Sequence, residues 1–98
     1  MYFKNKYNNM DDEELHNIVG FVKNSEYRTK TLRFIGESMK MPSEIGEDLH
    51  INASQVSNVL ADLKSRGLVE CKTPKIYKGR LYKNTPLGLK IIKYIDEL

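Results

Sequence analysis

Residues 41–67 read MPSEIGEDLHINASQVSNVLADLKSRG, and this stretch decides the fold. Pro42 suits the first position of a helix, where a missing N–H leaves no hydrogen bond unmade. Ile45 and Leu49 lie four apart and give a short helix over 42–49 its single apolar stripe. His50-Ile51-Asn52 breaks the pattern. From Ala53 onward it returns in helical period, with Val56, Val59, Leu60 and Leu63 at i, i+3, i+4 and i+7. Gly67 closes a helix of 53–66, because glycine takes the left-handed conformation after a helix C-terminus at little cost.

Two helices joined by a three- or four-residue turn make a helix-turn-helix, whose second helix is built to enter the major groove of DNA. Gly46 is small where the two helices must approach. Ile45, Leu49, Ile51, Val56 and either Val59 or Leu60 supply the shared core. The opposite face of the second helix carries Ser54, Gln55, Ser57, Asn58, Ala61, Asp62 and Ser65. These are short side chains rich in hydrogen-bonding groups, concentrated near the N-terminal end that reaches base edges. An ordinary solvated face remains an alternative, although such faces usually carry more lysine and glutamate.

Working outward, Asp11-Asp12-Glu13-Glu14 puts negative charge where a helix N-terminus favours it. Leu15, Ile18, Val19 and Val22 then define a first amphipathic helix. Ser25 is an N-cap residue for a second helix of about 26–37, with Leu32, Ile35 and Met39 as its core face. Beyond Gly67, residues 68–72 and 80–83 read as strands around a turn-bearing loop at 74–79, hence a β-hairpin. Thr85-Pro86 caps a last helix of about 86–97. The expected fold is mainly α with a small β-hairpin, in the order α-α-α-α-β-β-α. It forms one domain over 11–98 behind a flexible tail at 1–10.

Ninety-eight residues, 40% hydrophobic and 30% charged, fit one soluble globular domain. The net charge of +3 hides an uneven distribution. Residues 1–70 hold nine bases against eleven acids, whereas residues 71–98 hold seven against two, with no acid from 71 to 95. Lys72, Lys75, Lys78, Arg80 and Lys83, with Tyr77 and Tyr82, make the hairpin a basic wing. Its cations suit phosphates, which position a protein on a duplex without reading sequence. Lysines also protect edge strands, but edge protection does not explain the missing acids.

Several functions are excluded. No apolar run approaches the roughly 18–20 residues of a membrane span, and residues 1–10 lack a signal-peptide core. A single cysteine, Cys71, forms no internal disulfide and fits a reducing cytoplasm. Cys71, His16 and His50 have no metal-ligand spacing, so neither metal nor cofactor is expected. Asp48, Asp62 and Glu70 are not arranged around a nucleophile, which argues against an enzyme.

On these residues the chain resembles winged helix-turn-helix regulators of the MarR/ArsR-like type, and especially its small archaeal members. The resemblance runs from Val19-Gly20-Phe21-Val22 and Ser25-Glu26-Tyr27-Arg28 to Met41-Pro42-Ser43-Glu44-Ile45-Gly46. It continues through Ser54-Gln55-Val56-Ser57-Asn58-Val59-Leu60, Leu63, Gly67-Leu68-Val69, Gly79-Arg80-Leu81-Tyr82 and Thr85-Pro86-Leu87-Gly88. It implies that Ser54, Gln55, Ser57 and Asn58 stand where relatives touch DNA, with Lys78 and Arg80 as wing contacts; Lys75 joins them in the basic wing. Three departures stand out. His50 replaces the usual turn glycine, Asn58 stands where relatives often carry arginine, and the paired-cysteine motif of metal sensors is missing.

The last helix is too apolar for one core stripe. Leu87, Ile91, Tyr94, Ile95 and Leu98 share an arc that Ile92 widens to about 160°, against about 100° for a packed surface helix; Leu89 lies further round. A second copy would cover the excess, giving a homodimer through Leu15, Ile18, Leu89, Ile92 and Ile95. The alternative is a helix wedged broadly between the first two. The sequence thus points to a cytoplasmic, sequence-specific regulator that binds double-stranded DNA. Its recognition helix would be 53–66 and its backbone-gripping wing 72–83, and Gln55 and Asn58 would favour an A·T-containing half-site. The rival reading is a winged helix used for protein–protein contact in a transcription or replication assembly. No effector is legible.

Overall fold

The structure, a computed structural model, describes residues 11–98; the tail expected at 1–10 lies outside them. The elements are α1 (Asp12–Lys23), α2 (Glu26–Ile35), β1 (Met39–Lys40), α3 (Pro42–Leu49), α4 (Ala53–Ser65), β2 (Val69–Cys71), β3 (Tyr82–Asn84) and α5 (Pro86–Asp96). The predicted order holds, with one strand added.

Local chemistry explains where the helices begin. Asp11 accepts the Glu14 N–H at 2.8 Å while the Glu14 carboxylate accepts the Asp11 N–H at 3.3 Å, a reciprocal capping box. Ser25 caps α2 through the Arg28 N–H at 3.2 Å, and Thr85 caps α5 through the Gly88 N–H at 3.1 Å. Pro42 and Pro86 occupy the first turns of α3 and α5.

Helix α2 stops at Ile35 rather than 37, because Gly36 turns the chain with φ 53°. Met39 therefore leaves the helix, and the core role expected for it does not hold: it sits exposed on β1. There Met39 pairs antiparallel with Lys83, and Lys40 with Tyr82. The sheet order is β1-β3-β2, with β3 in the centre.

The core draws on every helix. Leu15 and Val22 of α1, Leu32 and Ile35 of α2, Ile45 of α3, Val56 and Leu63 of α4 and Ile91 of α5 are all buried, with Leu68 and Val69 beneath the sheet. Helix α2 packs against α1, α3, α4, α5 and β3 and is the hub. Asn84, buried on β3, donates to the carbonyls of Leu32 at 2.9 Å and Gly36 at 3.0 Å. Those carbonyls lie at the C-terminal end of α2, that of Leu32 also accepting the Gly36 N–H at 3.0 Å. Asn84 thereby ties the sheet to the hub.

Helix α5 packs against α2, α1 and β3, so most of its broad apolar face is used inside the protomer. This is the wedged arrangement. Two residues assigned to a dimer face are used there instead: Leu15 is 0% exposed and Ile92 7%. Ile18, Leu89 and Ile95 are half-buried and Leu98 is exposed.

Candidate nucleic-acid interface

The α3–α4 corner is set by three residues. A side-chain carbon on Gly46 would stand 3.1 Å from the Ile51 carbonyl and 3.3 Å from Val56 Cγ2, so only glycine fits there without displacement. His50 ends α3 in the left-handed region, φ 58° and ψ 47°, the one non-glycine residue with positive φ among those described. That conformation costs roughly 1–2 kcal/mol for a residue with a Cβ. The Gly46 carbonyl accepts from the backbone N–H groups of both His50 and Ile51. Asn52 then starts α4: it accepts the Gln55 N–H at 2.8 Å, and the Gln55 side-chain carbonyl accepts the Asn52 N–H at 3.0 Å.

Along α4, Ser54, Ser57 and Asn58 are exposed on one face with Ala61 and Ser65. Gln55 is half-buried, and its carbonyl is committed to the cap. Asp62, an acid that flanks this polar face, is paired with Arg28 at 3.2 Å. Arg28 also donates to the Phe21 carbonyl at 2.8 Å. Its guanidinium lies 3.9 Å from the centre of the Phe21 ring, with that of Arg66 4.2 Å from the same ring. This cluster binds α1, α2 and the end of α4 together. Sequence reading missed it, because partners separated by 34 positions leave no local pattern.

The wing is an ordered loop. Lys72 N–H donates to the Leu81 carbonyl at 2.8 Å, Leu81 N–H to the Thr73 hydroxyl at 2.9 Å, and Ile76 N–H to the Thr73 carbonyl at 3.1 Å. Arg80 Nε donates to the Ile76 carbonyl at 2.8 Å, and Gly79 turns the tip with φ 71°. The Lys72–Leu81 bond is the last across the ladder; Leu81 N–H is diverted to Thr73, and the regular pairing ends there. The second strand is therefore Tyr82–Asn84 rather than 80–83, and the first is Val69–Cys71 rather than 68–72. Lys75, Lys78 and Arg80 are all exposed, and no acid lies between residues 72 and 81.

Between α4 and the wing runs an open groove of about 710 Å³. Ser57, Ala61 and Lys64 line its helical wall, and Tyr77, Arg80 and Tyr82 its wing wall. Of the residues expected to bind, Ser57 and Arg80 meet in this groove; Ser54, Asn58, Lys75 and Lys78 lie outside its lining. Lys64 was missed, although it stands at i+7 from Ser57 and so on the same helical face.

The titratable groups with displaced pKa values lie elsewhere. Hydrogen bonding to Arg33 holds the Asp96 carboxyl below its ordinary range, and the same contact raises Arg33, linking α2 to α5. Among the described residues no group of three or more His, Cys, Asp or Glu could hold a metal ion. No helix of the described residues is long and apolar enough to cross a membrane.

No protein-family model and no curated protein matches the chain. Solved structures do. Reduced HlyU from Vibrio cholerae superposes with a TM-score of 0.73 at 18% identity, covering 96% of this chain and 95% of that one. A MarR-family transcriptional regulator from Porphyromonas gingivalis gives 0.70 at 22%, covering 90% and 88%. The MepR–DNA complex of S. aureus gives 0.70 at 14%, covering 87% and 73%. The fold is a winged helix-turn-helix. At these identities the likeness establishes the backbone path, in which α3 and α4 form the helix-turn-helix and residues 72–81 the tip of the winged helix.

Proposed function

We propose that this winged-helix protein is a sequence-specific regulator that binds double-stranded DNA, with α4 in the major groove and the wing on the adjacent backbone. One observation carries the reading: Ser57 and Lys64 of α4 and Arg80 of an acid-free wing line the walls of one open groove. Lys64 and Arg80 stand on opposite walls, where a phosphate strand passing between helix and wing would meet both. Lys75 and Lys78 extend the cationic surface at the tip. Ser54, Ser57 and Asn58 are the base readers. Asn58 presents donor and acceptor together and pairs with adenine N6 and N7. Gln55 would have to leave its cap to do the same, so Asn58 carries the preference for an A·T-containing half-site.

Assembly as a homodimer would place two recognition helices about 34 Å apart, one turn of B-DNA. The surface left for it is Ile18, Leu89, Ile95 and Leu98, without Leu15 and Ile92. Placement among small archaeal regulators, and a cytoplasmic location with the DNA, rest on the sequence resemblance and on this reading. Likeness to a structure that contains DNA supports the DNA-binding reading.

The test is fluorescence anisotropy with a duplex taken from upstream of the protein's own coding sequence, at two salt concentrations. Wild type binds and weakens steeply with salt. Changing Lys78 and Arg80 to Ala weakens binding and flattens the slope of log K against log salt by about 0.9 for each phosphate no longer neutralised. Absence of duplex binding at low salt would leave protein–protein contact as the better reading, a role that the exposed Ile76 and Tyr77 would also suit. Selection from a random library that returned only G·C-rich sites would overturn the assignment of Asn58.

A further inference from the structure

The wing tip holds two residues that phosphate gripping does not use. Tyr77 is 89% exposed and Ile76 47%. Single exposed apolar side chains are ordinary; Tyr27, Met39 and Leu98 are such cases here. Two adjacent ones in a loop whose other long side chains are Lys75, Lys78 and Arg80 form a distinct chemical unit, an apolar point flanked by cations in the chain. The loop holds that point in place. Ile76 is fixed from both sides, its N–H on the Thr73 carbonyl and its own carbonyl on Arg80 Nε. Little conformational freedom would be lost on docking, and a pre-organised tip binds better for that reason.

Taking the DNA reading as its basis, we infer that Ile76 and Tyr77 form a wedge that enters the minor groove and partly unstacks one base step. The charge pattern selects this occupant, because the cations around the tip draw it onto a polyanion and bring an apolar point to the base edges. Proteins that insert apolar side chains between base steps kink the duplex toward its major groove. At the step that faces the wing the major groove lies on the far side of the duplex, so the kink opens the minor groove around the tip and tilts the flanking DNA away from the protein. Tyr77 also lines the α4–wing groove, so the wedge and the recognition helix address neighbouring parts of one site. The consequence is specificity without base hydrogen bonds. Pyrimidine–purine steps, TpA among them, unstack most easily, so the protein favours such a step at a position that α4 never touches.

The experiment uses the full chain and the duplex from upstream of its own coding sequence. The duplex carries donor and acceptor dyes at its ends and, in parallel samples, 2-aminopurine at successive adenines. Anisotropy reports binding, energy transfer reports bending, and 2-aminopurine fluorescence reports unstacking. Wild type should raise energy transfer and brighten 2-aminopurine at one step. Tyr77→Ala and the double change with Ile76→Ala should lose both signals and bind roughly tenfold or more weaker, the scale of one base–aromatic stack. Their salt slope should stay at the wild-type value, since no phosphate-binding cation is removed, and Tyr77→Phe should restore bending. Both side chains lie outside the core, so circular dichroism should match wild type. Wild-type binding without bending or unstacking overturns the wedge and leaves the DNA reading standing. Loss of affinity with a flatter salt slope also overturns it, because Tyr77 would then be serving the cations. No binding by wild type at low salt overturns both, and retention of binding to a partner protein through Tyr77 would replace them.

Discussion

Gly88→Ala is the sharpest test of how α5 is seated. A methyl group on Gly88 would fall well inside the van der Waals envelope of the Leu68 carbonyl oxygen and 3.1 Å from its carbon, so the obstacle is backbone. That carbonyl is already anchored, accepting the Thr85 N–H at 3.0 Å. Thr85 is held in turn, its hydroxyl donating to the Gly67 carbonyl at 2.6 Å and accepting from Gly88 N–H. An ordinary carbon–oxygen contact is about 3.3 Å or more, so the start of α5 must retreat by about 1 Å and stretch this knot. Overpacking of this kind costs about 1–3 kcal/mol, and a broken hydrogen bond adds about 1 kcal/mol. The helix-forming advantage of alanine returns at most about 1 kcal/mol. The expected net loss is about 1–3 kcal/mol, large against a total of about 5–15 kcal/mol for a domain. Melting should fall by roughly 5–20 °C. Gly20→Ala is the matched control: it lies within α1 with no atom within 4 Å of the added carbon, and should stabilise by about 0.5–1 kcal/mol. Urea unfolding followed by circular dichroism measures both. A Gly88→Ala protein as stable as wild type, or a Gly20→Ala protein equally weakened, would refute the packing argument.

Three further outcomes are expected. His50→Gly removes the left-handed strain at the α3–α4 corner and should raise the urea midpoint by about 1 kcal/mol equivalent, with duplex binding retained. Asp96→Asn tests the Arg33 pair: because the folded-state pKa of Asp96 is lowered, its stabilisation is full above the unfolded value of about 3.9 and fades as pH falls through the folded value. Wild type and variant should therefore differ at neutral pH and converge in acid in a urea series; a constant gap across pH would exclude the linkage. Lys64→Ala should weaken duplex binding and flatten its salt slope by about 0.9 without changing the preferred sequence, measured by anisotropy and library selection.

The helices were legible because their signals are local. Ser25, Pro42 and Thr85-Pro86 mark the starts of α2, α3 and α5, the break at His50-Ile51-Asn52 precedes α4, and periodic Leu, Ile and Val residues mark the buried faces. His50 was marked only by the resemblance, as the residue in the place of the usual turn glycine; of an uncommon backbone conformation and a different turn, the structure has the first, with φ 58°. What escaped depends on distance in sequence. β1 is two residues long and has no alternation to detect. The Arg28–Asp62 pair joins helices far apart in the chain. The width of the apolar arc on α5 was real, but hydrophobicity alone does not say whether α1 and α2 or a second copy will cover it, and here α1 and α2 take most of it.

The overlooked strand proves important for the site. β1 runs directly into α3 through Met41, and it pairs with β3, the same strand that returns from the wing. The helix-turn-helix and the wing are thus two branches of one hydrogen-bonded unit, and Asn84 at the end of β3 secures that unit to α2. This shared pairing constrains the angle between α4 and the wing within the fold itself. This also resolves the modest total charge. On the proposed DNA reading, such a site needs cations only where phosphates would lie, and two acids near it are paired: Asp62 with Arg28, and Glu70 with Lys72 at 3.7 Å. A net charge of +3 spread evenly over 98 residues would give no directional field; the same charge with residues 71–95 free of acid gives the field one face.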